Sequence, residues 1–180
     1  MPNKNKRRVL VTLHYRGALS LRENRERLGF AVYHWGILVA PKASTGRGCY
    51  SFDVSDGINL DPGSGVNRNP NFEWVLRAKT GVNPLPSSHL LGRVMIGKIS
   101  HDVSFEQLDA LLRSIPLPRK GVSGENCVSW TRAAVAKLQE KGWAERFNID
   151  CFMDDSLAYA HQRMDADDVK SIINYTSRPM

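Results

Sequence analysis

Runs of apolar and β-branched residues, separated by turn-forming residues, predict several strands in the first part of the chain. The most apolar run, FAVYHWGILV at 30–39, is typical of a central strand covered on both faces. Residues 49–54 alternate small or polar with large apolar side chains, which predicts a second strand and a hairpin between the two. Further strands are predicted at 8–15, 72–78 and 93–99.

Polar or turn-rich stretches between these strands predict loops. They cover residues 16–27, 40–47, 55–70 and 79–88. The stretch 55–70 is dense in Gly, Asn, Asp and Pro, and loops of this length often frame functional sites.

The apolar spacing changes to a helical period in the second part of the chain. Helices are predicted after Ser104, over 126–141 and through 157–164. The first begins with a capping-box pair, Ser104 and Gln107. The helix over 126–141 has an apolar side and is followed by Gly142, the residue type that favours a C-terminal cap.

Composition indicates one folded domain over residues 1–180. Hydrophobic residues make up 42% and charged residues 24% of the chain, which is typical of a globular protein and excludes a collagen-like or coiled-coil chain. We predict an α+β domain in which an antiparallel sheet packs against helices. Residues 1–7 are expected to form a disordered basic tail.

The charge balance raises the question of a nucleic-acid partner, because 25 Lys and Arg residues against 18 Asp and Glu residues give a net charge of +7. Basic residues cluster at 4–8, whereas those at 22–27 alternate with glutamates. No nucleic-acid-binding motif accompanies them. We therefore expect a solvated basic surface rather than a dedicated nucleic-acid-binding surface.

The sequence predicts a cytoplasmic protein without a membrane span. The apolar run near the N-terminus, 9–13, is too short for a secretory signal, and no later run is long enough to cross a bilayer. Three widely spaced cysteines, Cys49, Cys127 and Cys151, contain no CxxC pair, so neither a disulfide framework nor a cysteine zinc site is expected. We expect no cofactor and no metal.

Cys127 is the first candidate for chemistry, because it lies where the helix over 126–141 begins. The unpaired N–H groups and partial positive charge of a helix N-terminus favour thiolate over thiol, as a nucleophile requires. The alternative is a small buried hydrophobe, which is the common state of a lone cysteine. A base close to Cys127 would favour the nucleophile over the buried hydrophobe.

His34 is the candidate base, and the predicted hairpin supplies a carboxylate for it. If Leu38 pairs with Cys49, then His34 lies opposite Asp53, which can accept a proton from one ring nitrogen and leave the other for the nucleophile. A bulge would make Asp56 the partner instead. The alternatives are a core histidine and a solvent-facing carboxylate.

The phrases HWGILV at 34–39 and NCVSW at 126–130 resemble the permuted papain-like superfamily, which includes lecithin retinol acyltransferase-like proteins and PPPDE peptidases. In that superfamily a histidine on a strand precedes a cysteine at a helix start, which is also the order here. The layout is similar to that of a family of uncharacterised fungal proteins of about this length. The resemblance covers 30–54 and 93–140.

This resemblance implies a permuted papain-like fold with Cys127 as nucleophile, His34 as general base and Asp53 as the third member. Many acyltransferase-like members have a second histidine at the third position, but an aspartate can also orient an imidazole. The implied activity is transfer or hydrolysis of the acyl group of an ester, thioester or amide. The partner would be a small-molecule or peptide acyl substrate.

Two other functions stay open at this point. One is a non-catalytic binding domain of the same fold, and the other is a nucleic-acid-associated protein. The remaining histidines, His14, His89 and His101, are expected to be surface or structural residues, because no matched nucleophile or ligand spacing accompanies them. Cys49 shares its strand face with Asp53 and is a candidate to approach the site.

Overall fold

The protein has an α+β fold built on one six-stranded sheet, and the computed structural model describes residues 6–42, 47–166 and 171–180. The strands are β1 (Arg7–His14), β2 (His34–Ala40), β3 (Cys49–Ser55), β4 (Val75–Val82), β5 (Leu90–Ile99) and β6 (Ile172–Asn174). Their order across the sheet is β4-β3-β2-β1-β5-β6. The β5–β6 pair is parallel, and the other neighbouring pairs are antiparallel.

Four helices accompany the sheet within the described ranges: α1 (Arg25–Leu28), α2 (Phe105–Arg113), α3 (Cys127–Glu140) and α4 (Ile149–Arg163). The helix starts at Ser104 and near 126 were predicted from the sequence and are confirmed. Ser104 and Gln107 form the capping box of α2. None of the described helices is long and apolar enough to cross a membrane.

The two faces of the sheet differ because side chains alternate along each strand. Trp35, Ile37 and Val39 point into the main core, which they share with apolar side chains of α2, α3 and α4. His34 and Gly36 lie on the opposite face. The chain thus places His34 on the face that the helices leave open.

The predicted strand over 30–39 is wrong in its first part, because β2 begins only at His34. Residues Gly29–Val32 form a 3₁₀ turn instead. Side chains hold this turn, since Trp35 Nε1 donates to the Phe30 carbonyl at 2.8 Å and Ser20 Oγ donates to the Val32 carbonyl at 2.6 Å. The apolar run 30–39 therefore contains the end of a 3₁₀ turn and most of a strand, rather than one continuous strand.

Other boundaries also differ from the prediction. The strand predicted at 72–78 is β4 (Val75–Val82), which extends into the region predicted as a loop. The stretch predicted as a loop at 16–27 contains 3₁₀ turns and the beginning of α1. The predicted basic tail at 1–7 is wrong at its end, because Arg7 already belongs to β1. Residues 1–5 of that tail lie outside the described residues.

Candidate active site

Cys127 lies at the N-terminus of α3, which packs against β2 and β3. Asn126 caps this helix, and its Oδ1 accepts from the N–H groups of Val128 at 2.8 Å and Ser129 at 3.4 Å. Cys127 is buried, with 3% of its surface exposed. Its sulfur interacts with the His34 ring and accepts a hydrogen bond from the Trp35 backbone N–H. The helix start therefore places the thiol beside the first residue of β2.

Asp53 hydrogen-bonds a nitrogen of the His34 ring. Its Oδ2 lies 2.5 Å from His34 Nε2, and both side chains are about four-fifths buried, with 21% and 19% exposed. Because Nε2 faces the carboxylate, Nδ1 is the ring nitrogen left for Cys127. The three residues that the sequence singled out are thus brought together, while their roles stay a prediction.

The register that led to Asp53 was wrong by two residues. Leu38 pairs with Ser51 and Ile37 with Phe52, so Cys49 does not pair with Leu38 as predicted. The reason is that β2 extends to Ala40, which moves the end of the hairpin. A shift of two residues keeps every side chain on its face, so Asp53 still shares a face with His34.

Gly36 is the residue that lets Asp53 come close to His34. The register places Gly36 beside Asp53 on the neighbouring strand. A Cβ at Gly36 would lie 3.1 Å from the Asp53 Cβ and 3.2 Å from the Phe52 carbonyl oxygen, closer than most side chains tolerate. The missing side chain leaves the carboxylate free to reach diagonally toward the ring.

Arg77 is a site residue that sequence analysis missed. It lies on β4 directly opposite Asp53. Its Nε donates to Asp53 Oδ1 at 3.1 Å, and its Nη2 donates to Oδ2. Residue 77 was predicted to lie on a strand, but the loop between β3 and β4 is too long for the sequence to fix their register.

His14 was also missed as a residue close to the site. It pairs directly with His34 across β1 and β2, and the two ring centroids are 6.1 Å apart. His14 is half-buried and faces the same cavity as His34. His89 lines this cavity as well, whereas His101 lies in an exposed turn as expected.

Electrostatics favour a charged Cys127–His34 pair. Burial would raise the pKa of Cys127, but the interaction with His34 and the Trp35 N–H lower it below its usual value. Burial would lower the pKa of His34, but hydrogen bonding to Asp53 and to Cys127 raises it to about 9. Both shifts favour the thiolate–imidazolium form of the pair over its neutral form.

The pKa values of Asp53 and His14, two neighbours of His34, are lowered, whereas the pKa of His34 is raised. Burial would raise the pKa of Asp53, but hydrogen bonds from His34 and Arg77 lower it to about 2, so the carboxylate is ionised. Burial and the charge of His34 lower the pKa of His14 to about 4, so this second imidazole is neutral at pH 7. The site therefore contains one charged and one neutral histidine side by side.

The side chains of Cys127 and His34 open into a cavity of about 720 Å³ on the face of the sheet that the helices leave open. Its lining is mixed, and its polar or charged members include Thr12, His14, Ser51, Ser55, Arg77 and Lys79. The loop after β3 contributes Asp56, Gly57 and Trp74. Cys127 is itself one of the residues that line the cavity, although only 3% of its surface is exposed.

Comparison with known proteins places the chain in a family. Residues 6–173 match the model of a family of unknown function, DUF6914. The chain belongs to this family. The matched range includes Cys127, His34 and Asp53. No curated protein and no solved structure matches the chain.

The other candidate residues lie apart from this group. Cys49 is buried in a separate apolar cluster with Leu10 and Met95, and burial raises its pKa. Cys151 is exposed. Asp56 lines the cavity, but Asp53 is the carboxylate that contacts His34. In the part of the chain that the structure describes, no group of three or more His, Cys, Asp or Glu residues is placed to hold a metal ion.

Proposed function

We propose that this protein is a cysteine-dependent hydrolase or acyltransferase that acts on the carbonyl group of an ester, thioester or amide. The observation that carries the proposal is the arrangement of Cys127, His34 and Asp53, which all line one cavity. A thiol at a helix N-terminus and an imidazole oriented by a carboxylate are the parts that nucleophilic thiol catalysis needs. The fold would then be a permuted papain-like one.

In the acylation step, the thiolate of Cys127 attacks the carbonyl carbon, and a C–S bond forms while the carbonyl electron pair moves to oxygen. The bond to the leaving group then breaks as that pair returns. The leaving group takes a proton from the imidazolium of His34, which becomes neutral. Asp53 fixes the ring so that Nδ1 stays directed at the reacting atoms.

In the second step, the neutral His34 removes a proton from water or from an acceptor alcohol, amine or thiol. The oxygen, nitrogen or sulfur of that acceptor attacks the thioester, and the C–S bond breaks to restore the thiolate and the imidazolium. Water would give hydrolysis, and any other acceptor would give acyl transfer. The open cavity in front of Cys127 has space for such an acceptor.

Cys49 provides an internal comparison for the interpretation of Cys127. Both residues are buried, with 1% and 3% of their surface exposed. Burial raises the pKa of Cys49, which is the usual effect of an apolar environment on a thiol. The pKa of Cys127 shifts the other way because a base lies beside it, and Cys127 lines a cavity. This contrast argues against a purely structural role for Cys127.

The test is formation of an acyl-enzyme. Purified protein is incubated with activated esters, thioesters and peptide amides that differ in acyl size and charge, and intact mass spectrometry followed by peptide mapping detects the adduct. We expect an acyl group on Cys127 and turnover with part of the panel. Cys127→Ala should abolish both, while Cys151→Ala, which removes an exposed thiol, should change neither.

Folding must be checked in the same samples. Cys127→Ala should melt close to the unchanged protein, because the substitution removes one sulfur atom from the edge of the core. A folded protein that forms no adduct with any member of the panel, and for which Cys127→Ala has no effect, would favour a non-catalytic binding domain.

A further inference from the structure

Arg16 lines the cavity and follows β1 after one intervening residue, Tyr15. It is half-buried, and its Nη1 donates a hydrogen bond to the Ala31 carbonyl. Its backbone N–H donates to Ser20 Oγ at 2.7 Å, and Ser20 Oγ in turn donates to the Val32 carbonyl at 2.6 Å. These bonds tie the turn after β1 to the segment that leads into His34.

The guanidinium of Arg16 has hydrogen-bond donors to spare. A guanidinium carries five N–H donors, and within the described residues one of them is used, by Ala31. Arg16 forms no ion pair with a carboxylate of the described residues. The other guanidinium in the cavity, that of Arg77, is already bound to Asp53. Arg16 therefore lines the cavity without an ion-pair partner among the described residues.

The helix N-terminus alone supplies few donors to a reacting carbonyl oxygen. The N–H groups of Val128 and Ser129 are taken by the Asn126 side chain. The Trp35 N–H is directed at the sulfur of Cys127. Among the described residues, the backbone N–H of Cys127 itself has no acceptor. Acyl-transfer sites commonly use at least two donors for the oxyanion, so one more is needed.

We propose that Arg16 is a further catalytic residue, which donates a hydrogen bond to the carbonyl oxygen of the acyl substrate as that oxygen becomes negative during attack by Cys127. This inference rests on the proposed function. The electron pair that leaves the C=O bond when the C–S bond forms resides on this oxygen until the leaving group departs. The Cys127 N–H and Arg16 would then share its charge. The charge of Arg16 also contributes to the lowered pKa of Cys127, which agrees with a position near the sulfur.

Two reactions of Cys127 distinguish stabilisation of the carbonyl oxygen by Arg16 from an effect of Arg16 on the reactivity of the thiol alone. Acylation by an activated ester passes through a negative oxygen, whereas alkylation by iodoacetamide displaces iodide at a saturated carbon and does not. For Arg16→Met we expect the rate constant of acylation at saturating ester to fall about 100- to 1,000-fold, with little change in KM. Alkylation measured at a pH where the thiol is fully ionised should keep its rate.

Arg16→Lys and Arg113→Met complete the experiment. Lysine keeps the charge and can still reach a carbonyl, so it should lose less activity than methionine and should fold even where Arg16→Met does not. Arg113 is exposed and pairs with Asp109 on α2, so Arg113→Met removes a charge away from the cavity and should leave acylation unchanged. Millimolar guanidinium ion should restore part of the acylation rate of Arg16→Met.

Three results would overturn the inference. If Arg16→Met acylates as fast as the unchanged protein, the guanidinium has no catalytic role, although the proposed function stands. If KM rises and the saturated rate does not fall, Arg16 binds an anionic part of the substrate instead. If alkylation at high pH falls as much as acylation does, Arg16 only holds the site together. A failure of the unchanged protein to acylate at all would instead remove the proposed function and this inference with it.

Discussion

Asp53 hydrogen-bonds His34 at 2.5 Å although the register of β2 and β3 places Gly36, and not His34, beside it. The contact is therefore diagonal across the two strands. Diagonal neighbours in a sheet are farther apart than directly opposed ones, so the carboxylate must lean along the strand direction to reach the ring. It can do so because Gly36 has no side chain in the way.

Gly36→Ala should disturb this contact. The new Cβ would lie 3.1 Å from the Asp53 Cβ, 3.2 Å from the Phe52 carbonyl oxygen and 3.3 Å from Thr12 Oγ1, so the strands or the carboxylate must shift. We expect a loss of about 1–3 kcal/mol in the free energy of unfolding and a fall in activity larger than that loss explains. Urea unfolding and ester turnover measure the two effects.

Gly63→Ala is the matched control for Gly36→Ala. A Cβ at Gly63 would meet only Asp61 Oδ1, at 3.4 Å, in the exposed loop after β3. We expect this variant to retain its activity. Equal activity of Gly36→Ala and Gly63→Ala would mean that the diagonal contact does not depend on the missing side chain.

Cys127 should be the most reactive thiol of the protein at mildly acidic pH. Its lowered pKa leaves more thiolate at pH 6 than a free cysteine has, since a free thiol ionises near pH 8.5. We expect iodoacetamide to label Cys127 at least about tenfold faster than Cys151 at pH 6, although Cys151 is the exposed residue. Peptide mapping after brief labelling measures the rates, with His34→Gln as the variant in which the advantage should vanish.

The order of labelling should change with pH. Above pH 9 exposure should decide the rates, so Cys151 should overtake Cys127, while the buried Cys49 should stay slow throughout. Faster labelling of Cys151 at pH 6 would contradict the thiolate state of Cys127.

The face on which each site residue lies could be predicted from the sequence, but the pairing between strands could not. His34 and Asp53 share a face in the predicted register and in the observed one, because the two registers differ by two residues and only an odd shift exchanges the faces. The position of Cys127 at a helix start followed from the apolar spacing over 126–141 and from Gly142 after the last turn. These features depend on a few neighbouring residues.

The site contacts that the sequence did not predict join segments that are far apart along the chain. Arg77 meets Asp53 only because β4 pairs with β3 in one particular register after a long loop. His14 meets His34 because β1 inserts beside β2 in the strand order, which hydrophobic patterns do not encode. Arg16 reaches the cavity through bonds to the backbone of Ala31 and the side chain of Ser20. Such contacts are long-range consequences of the topology.

Asp53→Asn should shift the alkaline limb of the pH–rate profile. The carboxylate is a main reason why the pKa of His34 is about 9, so its loss should move the limb to lower pH by at least one unit. We expect about a 100-fold loss of kcat/KM for Asp53→Asn and a larger loss for His34→Ala, because a poorly oriented imidazole still accepts protons. An unchanged alkaline limb would show that Asp53 does not set the titration of His34.

Arg77→Met should make the fold more sensitive to acid. The pKa of Asp53 is lowered from 3.8 to about 2 in the folded protein, so its ionised form stabilises the fold above pH 4, and this stability is lost as the pH falls toward 2. The shift corresponds to about 2 kcal/mol, part of which comes from Arg77. Removing Arg77 raises the pKa of Asp53, so acid unfolding followed by circular dichroism should begin at higher pH.

Arg113→Met is the comparison for the acid-unfolding experiment. Arg113 pairs with Asp109 on the exposed side of α2, where solvent screens the interaction. The acid midpoint of this variant should stay within experimental error of the unchanged protein. A midpoint for Arg77→Met equal to that of Arg113→Met would argue against a stabilising contact between Arg77 and Asp53.

His14 and His34 should titrate about five pH units apart, although their rings face each other with centroids 6.1 Å apart. The pKa of His14 is about 4 because partial burial and the positive charge of His34 lower it and no carboxylate of the described residues forms an ion pair with it, whereas that of His34 is about 9. Long-range ¹H–¹⁵N NMR of the two rings between pH 4 and 10 measures this. We expect a neutral His14 and a protonated His34 from pH 5 to 8, and a narrower gap in Asp53→Asn. Titration of both rings near pH 6.5 would contradict the charged Cys127–His34 pair on which the proposed chemistry depends.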